Sequence, residues 1–110
     1  MITFNLTLED MPSKDKKLTN IAKVENFKSS KSGQPIANQF IITLQNGIEV
    51  FQSYNSIICV KANNEIYLDY DRWNYSRTTS RYRNQFLNET TVETVKKIGF
   101  GNYAMVHLNK

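Results

Sequence analysis

Through Tyr70 the chain alternates apolar and polar positions with the period of a β-strand. Ile2, Phe4, Leu6 and Leu8 fall on one side of residues 2–8 and Thr3, Asn5 and Thr7 on the other, because successive strand side chains point to opposite faces. Residues 9–17 are polar, contain Pro12 and read as a loop. Residues 18–27 make a weaker strand, with Ala22 and Val24 opposed to Lys23 and Glu25. The Ser, Gly and Pro content of Lys28 to Pro35 predicts a mobile basic loop. Residues 39–45 and 48–53 flank Asn46-Gly47, a dipeptide suited to a type I′ hairpin turn. Two further runs, 56–62 and 65–70, meet at Asn63-Asn64, where both residues tolerate left-handed backbone.

After Tyr70 the period lengthens to that of a helix. Tyr75, Thr79, Tyr82 and Phe86 share one stripe, with Arg77, Arg81, Asn84 and Asn88 on the opposite face. Ser76, Thr78 or Thr79 supplies the N-cap oxygen. A second short helix opens with the capping box Thr90-Thr91-Val92-Glu93 and closes at Gly99. Its expected buried stripe is Val92, Val95 and Ile98. Residues 102–108 alternate again and predict a last strand. The fold class is therefore α+β: an antiparallel meander of about five strands with one or two C-terminal helices, between residues 76 and 98, packed on it. The 110 residues suffice for a single domain spanning 1–110.

Charge sharpens this outline. The net charge of +4 is located: all four arginines, Arg72, Arg77, Arg81 and Arg83, fall where no acid occurs between Asp71 and Glu89. The rest of the chain balances ten lysines against ten acids. A guanidinium fork matches phosphate and carboxylate oxygens in pairs, and aromatics interleaved with arginines stack on bases or clamp cations. The segment is thus a candidate surface for an acidic protein patch or for DNA or RNA, with Arg77 and Arg81 foremost. Arg83 points nearer the apolar stripe, within reach of Asp69 or Asp71. The loop carrying Lys28 and Lys31 is the second candidate surface.

Catalytic chemistry finds little footing. His107 is the one histidine and Cys59 the one cysteine, the latter inside the apolar run Ile57-Ile58-Cys59-Val60. A thiol there behaves as a small hydrophobe, although a Cys59–His107 pair is conceivable in principle. Glu65, Asp69 and Asp71 are the conceivable metal ligands, yet carboxylates beside a turn are usually solvated. Gly99-Phe100-Gly101 is too sparse for a phosphate loop. The expectation is a non-enzymatic protein with no cofactor, metal or catalytic residue. A lone cysteine excludes an internal disulfide and favours a reducing cytoplasm, and no apolar run approaches the roughly 18 residues of a membrane span.

Three stretches carry a resemblance: Asn38-Gln39-Phe40, Phe51-Gln52-Ser53-Tyr54 leading into Ser56-Ile57-Ile58, and Trp73-x-Tyr75-Ser76-x-Thr78-Thr79 followed by Gln85-Phe86. Together they resemble a small family from phages and prophages of Gram-positive bacteria, over about Gly33 to Leu87. The resemblance implies phage origin and a sheet-plus-helix domain, and it carries over no catalytic residues. Phage origin makes the expected role a small inhibitor of a host defence system, anti-CRISPR-like, binding a host protein or ribonucleoprotein in the host cytoplasm. The alternative is a phage accessory protein that binds DNA or RNA directly. The motifs also have a structural reading. In it Trp73 and Tyr75 plug the sheet edge, Thr78 and Thr79 cap the helix, and Gln39, Gln52 and Gln85 satisfy buried backbone groups.

Overall fold

The computed structural model describes residues 21–109, so the strand expected over residues 2–8 lies outside the described residues. Six strands form one sheet in chain order: β1 (Ile21–Lys28), β2 (Pro35–Leu44), β3 (Glu49–Ser53), β4 (Ser56–Ala62), β5 (Glu65–Asp69) and β6 (Tyr103–Val106). Helices α1 (Arg77–Leu87) and α2 (Thr91–Gly99) lie between β5 and β6. The α+β class and the helices after the meander are as the periodicity predicts. Antiparallel pairing holds from β1 to β5, but β6 runs parallel to β5, with Leu68 opposite Met105. Two helices inserted before the last strand return the chain in the direction it left, which a tight hairpin cannot do.

The turns differ in detail from their sequence signals. Between β2 and β3 the bonds Leu44 N to Ile48 O and Gly47 N to Leu44 O, 2.8 and 2.9 Å, close a three-residue loop in which Gly47 alone has positive φ. The type I′ signature, positive φ at two successive residues, belongs to Asn63 and Asn64 (52° and 67°). In β4 a bulge shifts the pairing between Phe51–Cys59 and Gln52–Ile57. The bulge places Ile58 beside Cys59 in the cluster under the helices, whereas Ile57 joins the cluster on the opposite face.

Those two clusters are the core. One face of the sheet carries Ile42, Leu44, Val50, Val60 and Tyr67. The other carries Phe27, Phe51, Ile58, Cys59 and Leu68 and receives Tyr82 and Phe86 from α1. Ser76 caps α1, its Oγ accepting the Thr79 N–H at 3.1 Å. Thr79, Tyr82 and Phe86 of the expected stripe are buried; Tyr75 precedes the helix and is exposed.

Helix α2 has the expected capping box, with Glu93 N to Thr90 Oγ1 at 3.1 Å and Thr90 N to Glu93 Oε1 at 2.8 Å. Its buried stripe is not the expected one: Val92 and Val95 are 65% and 52% exposed, Ile98 is half-buried, and Thr94 faces inward. The hydroxyl of Thr94 donates to Glu89 Oε2 at 2.6 Å and to Thr90 O at 3.1 Å, so this polar side of the helix, not the valines, faces inward. The chain leaves α2 through Gly101, at φ 78°, not Gly99. Among the described residues no helix is long and apolar enough to cross a membrane.

Candidate functional site

The most informative surface lies where the turn after β1 meets α1. Phe27, the last inward residue of β1, stacks edge-on to Phe51 at 5.1 Å and packs tilted on Tyr82 at 5.4 Å. That aromatic contact brings the end of β1 onto α1. The turn beyond it is tied, not loose: Ser29 N donates to Gln34 O at 2.8 Å, Gly33 N to Ser29 O at 2.9 Å, and Ser29 Oγ accepts from Lys31 N at 3.2 Å. Gly33 takes the positive φ of 74° that the turn needs.

The result is a groove of about 450 Å3 lined by Lys28, Ser29, Ser30 and Lys31 from the turn and by Arg81, Tyr82 and Gln85 from α1. Two surfaces that the sequence presents as alternatives, the arginine helix and the lysine loop, are therefore one. Among the described residues Lys28, Lys31 and Arg81 have no acid within ion-pair distance, whereas Lys23, Lys61 and Lys97 each do. Ser29, Ser30 and Gln85 were not anticipated as lining residues. Gln85 was legible as the i+4 neighbour of Arg81; the serines were not, since their position depends on how the turn closes.

The other arginines divide. Arg77 is exposed on α1 one turn before Arg81 and extends the positive face beyond the groove. Arg72 is exposed and stacks on Tyr75 at 5.3 Å, outside the groove. Arg83, expected on the partner-binding surface or paired with Asp69 or Asp71, is fully buried. Its Nη1 donates to Trp73 O at 2.6 Å and Asn74 Oδ1 at 3.0 Å, and its Nη2 to Asn84 Oδ1 and Thr91 Oγ1 at 2.8 Å each. Trp73 also stacks on the guanidinium at 5.0 Å. Burial pushes its pKa below the ordinary arginine range. Arg83 joins the segment before α1 to α2 and offers nothing to a partner.

The remaining candidates have structural employment. Asp69 is buried; its Oδ2 accepts from Arg72 N at 2.8 Å and its Oδ1 from Leu108 N at 2.8 Å, so its lone pairs hold backbone. Asp71 lies 3.6 Å from His107 Nδ1, and that ring packs on Tyr70. Cys59 is sealed in the core, where burial pushes its thiol far above the usual range. The Cys59–His107 pair is therefore not assembled. Among the described residues no group of three His, Cys, Asp or Glu side chains could hold a metal ion.

The motif stretches themselves meet in space. Gln39 lies opposite Ser53 across β2 and β3, Tyr54 N donates to Asn38 O at 2.7 Å, and Ser53 Oγ lies 3.1 Å from Thr79 Oγ1. Gln52 Nε2 donates to Tyr54 O at 2.7 Å, a backbone group as the structural reading expects but an exposed one, not buried. Gln39 departs from that reading: it is 1% exposed, and neither end of its amide has a hydrogen-bond partner among the described residues. Gln85 is exposed and belongs to the groove.

Comparison with known proteins adds the family and nothing on chemistry. No curated protein and no solved structure matches the chain. A family model does match, over residues 19–102, which takes in β1 to β5, both helices and the whole groove and stops just before β6; the chain thus belongs to the family of unknown function DUF8033.

Proposed function

We propose that the protein is a non-enzymatic binding module that engages an acidic surface of a host protein or ribonucleoprotein through the groove between the β1–β2 turn and α1. Its biological role on this reading is inhibition of a host defence system by a phage. One observation carries the binding: Lys28, Lys31 and Arg81, from segments some fifty residues apart, converge with no carboxylate within ion-pair distance among the described residues. Clustered like charge destabilises the free protein slightly and speeds encounter with an oppositely charged partner. The phage role is supported by the motif resemblance.

The test is a plaque assay in a bacterium carrying an active CRISPR-associated nuclease. Expression of the wild-type protein should restore plaque formation by a targeted phage. A Lys28→Glu, Arg81→Glu variant should fold, since exposed substitutions usually change stability by no more than about 0.5 kcal/mol, and should fail to restore it. Unchanged plaquing with the wild-type protein removes the inhibitor role. Full activity of the folded double variant removes the groove.

A further inference from the structure

Past Lys28 and Gln85 the basic groove continues into a second one of about 370 Å3, whose lining includes both of those residues. The second half differs in chemistry. The half-buried Ile41 and the 5% exposed edges of Phe27 and Phe86 supply an apolar lining, beside Glu25, Glu49 and Lys61. Lys61 lies 3.9 Å from Glu49 and 4.3 Å from the Phe86 ring centroid. One trough thus has a cationic end and a more apolar end whose carboxylates are each paired with a lysine.

We propose that this trough takes an extended polypeptide segment, an acidic residue seated among Lys28, Lys31 and Arg81 and an apolar residue beside Phe27 and Phe86, and that it rejects a nucleic-acid backbone. The inference rests on the groove's being the binding site and specifies the partner. A nucleic-acid strand carries negative charge at every step, and a strand entering at Lys31 would run on past Glu25 and Glu49, whose lysine partners Lys23 and Lys61, 3.5 and 3.9 Å away, leave no unpaired cation there for its phosphates. A polypeptide can change from acidic to apolar within two residues, as the trough does. Gln85 sits at the junction, exposed and with no side-chain hydrogen bond among the described residues, placed to pair with a passing peptide group. Such adjacency of charged contact and apolar anchor is how short segments obtain both orientation and affinity.

The experiment is fluorescence anisotropy with three short labelled probes: a peptide with two aspartates followed by phenylalanine, the same peptide with lysines for aspartates, and a single-stranded oligonucleotide. The wild-type protein should bind the acidic peptide at least about tenfold more tightly than either other probe. A Glu25→Gln, Glu49→Gln variant should gain about tenfold for the oligonucleotide, since Lys23 and Lys61 lose their carboxylate partners and become available to phosphates, and hold the peptide as before. Oligonucleotide binding equal to or above peptide binding, or no measurable peptide binding, overturns the inference. If probes bind but Lys28→Glu with Arg81→Glu changes none of them, the groove itself is refuted, an outcome separate from the partner class.

Discussion

Replacing Arg83 should be the most damaging single change in the described chain. Its guanidinium donates to four neutral oxygens within 3.0 Å: Trp73 O, Asn74 Oδ1, Asn84 Oδ1 and Thr91 Oγ1. Hydrogen bonds to a charged donor are worth about 1.5–3 kcal/mol each, and an acceptor left buried without a donor costs about 1–3 kcal/mol. Opposing them is the desolvation of a cation that, among the described residues, has no carboxylate within ion-pair distance, Glu89 acting on it only from farther off, and whose Nε finds no acceptor. Arg83→Ala also empties a large fully buried volume. We expect it to cost about 3–5 kcal/mol, the range in which one partner of a buried polar network is removed. Arg83→Lys should recover part of this, because an ammonium cannot reach both sides of the fork. In urea, with a slope of about 1.5–2 kcal/mol/M, the Ala variant should lose roughly 2 M of midpoint. The decisive comparison is Arg83→Met, which keeps the stem volume and discards the charge. A midpoint equal to or above wild type would mean that desolvation outweighs the network, and the reasoning would be wrong.

Other expectations follow from the same physics. Gln39→Leu, removing two unpartnered amide atoms from a buried site, should stabilise the protein by about 1–3 kcal/mol in the same urea titration; a loss of stability would mean that the amide has a role the geometry does not reveal. Glu89 has a 3% exposed side chain. Burial alone would raise its carboxyl, yet hydrogen bonds from Lys97, Thr94 and Tyr103 outweigh that and hold it below the ordinary carboxylate range. Its stabilising contribution is therefore present above the unfolded pKa of about 4.3 and lost as pH falls through the lower folded value. The stability gap between wild type and Glu89→Gln, followed by thermal melts, should be widest near neutrality and close below about pH 4. Val95→Lys, on the exposed side of α2, should leave the melting temperature nearly unchanged, within about 0.5 kcal/mol; a large drop would restore the buried stripe read from the sequence.

Period 2 and period 3.6 were sufficient to read the meander and both helices, because burial on one side is what those periods record. Local chemistry was equally legible where it acts over three or four residues, as in the Thr90–Glu93 box and the Ser76 cap. What sequence missed depends on contacts across long separations. Arg83 is one residue from the stripe, and nothing local distinguishes an exposed arginine from one that finds Trp73, Asn74 and Thr91. The valines of α2 have the right spacing for burial, but Glu89 and Thr94 set the helix roll, and their bond is decided in three dimensions. The groove was half legible: each cationic segment stood out by composition, while their meeting depends on Phe27 packing against Tyr82.

The parallel closure by β6 has a consequence for how the chain must be made. Every pairing from β1 to β5 joins neighbours through a turn and can form as those residues emerge from the ribosome. The outer rim of β5 acquires β6 only after both helices have been synthesised, and its locks come later still. Leu108 N reaches Asp69 across 39 residues, and Asn109 bonds both the N–H and the carbonyl of Ile57 across 52. Ordering over such separations is slow compared with hairpin closure. Until it happens the nascent protein exposes an unpaired strand that invites association with another chain. A chain ending at Asn102 would keep its meander and its groove and leave the rim of β5 without its partner strand.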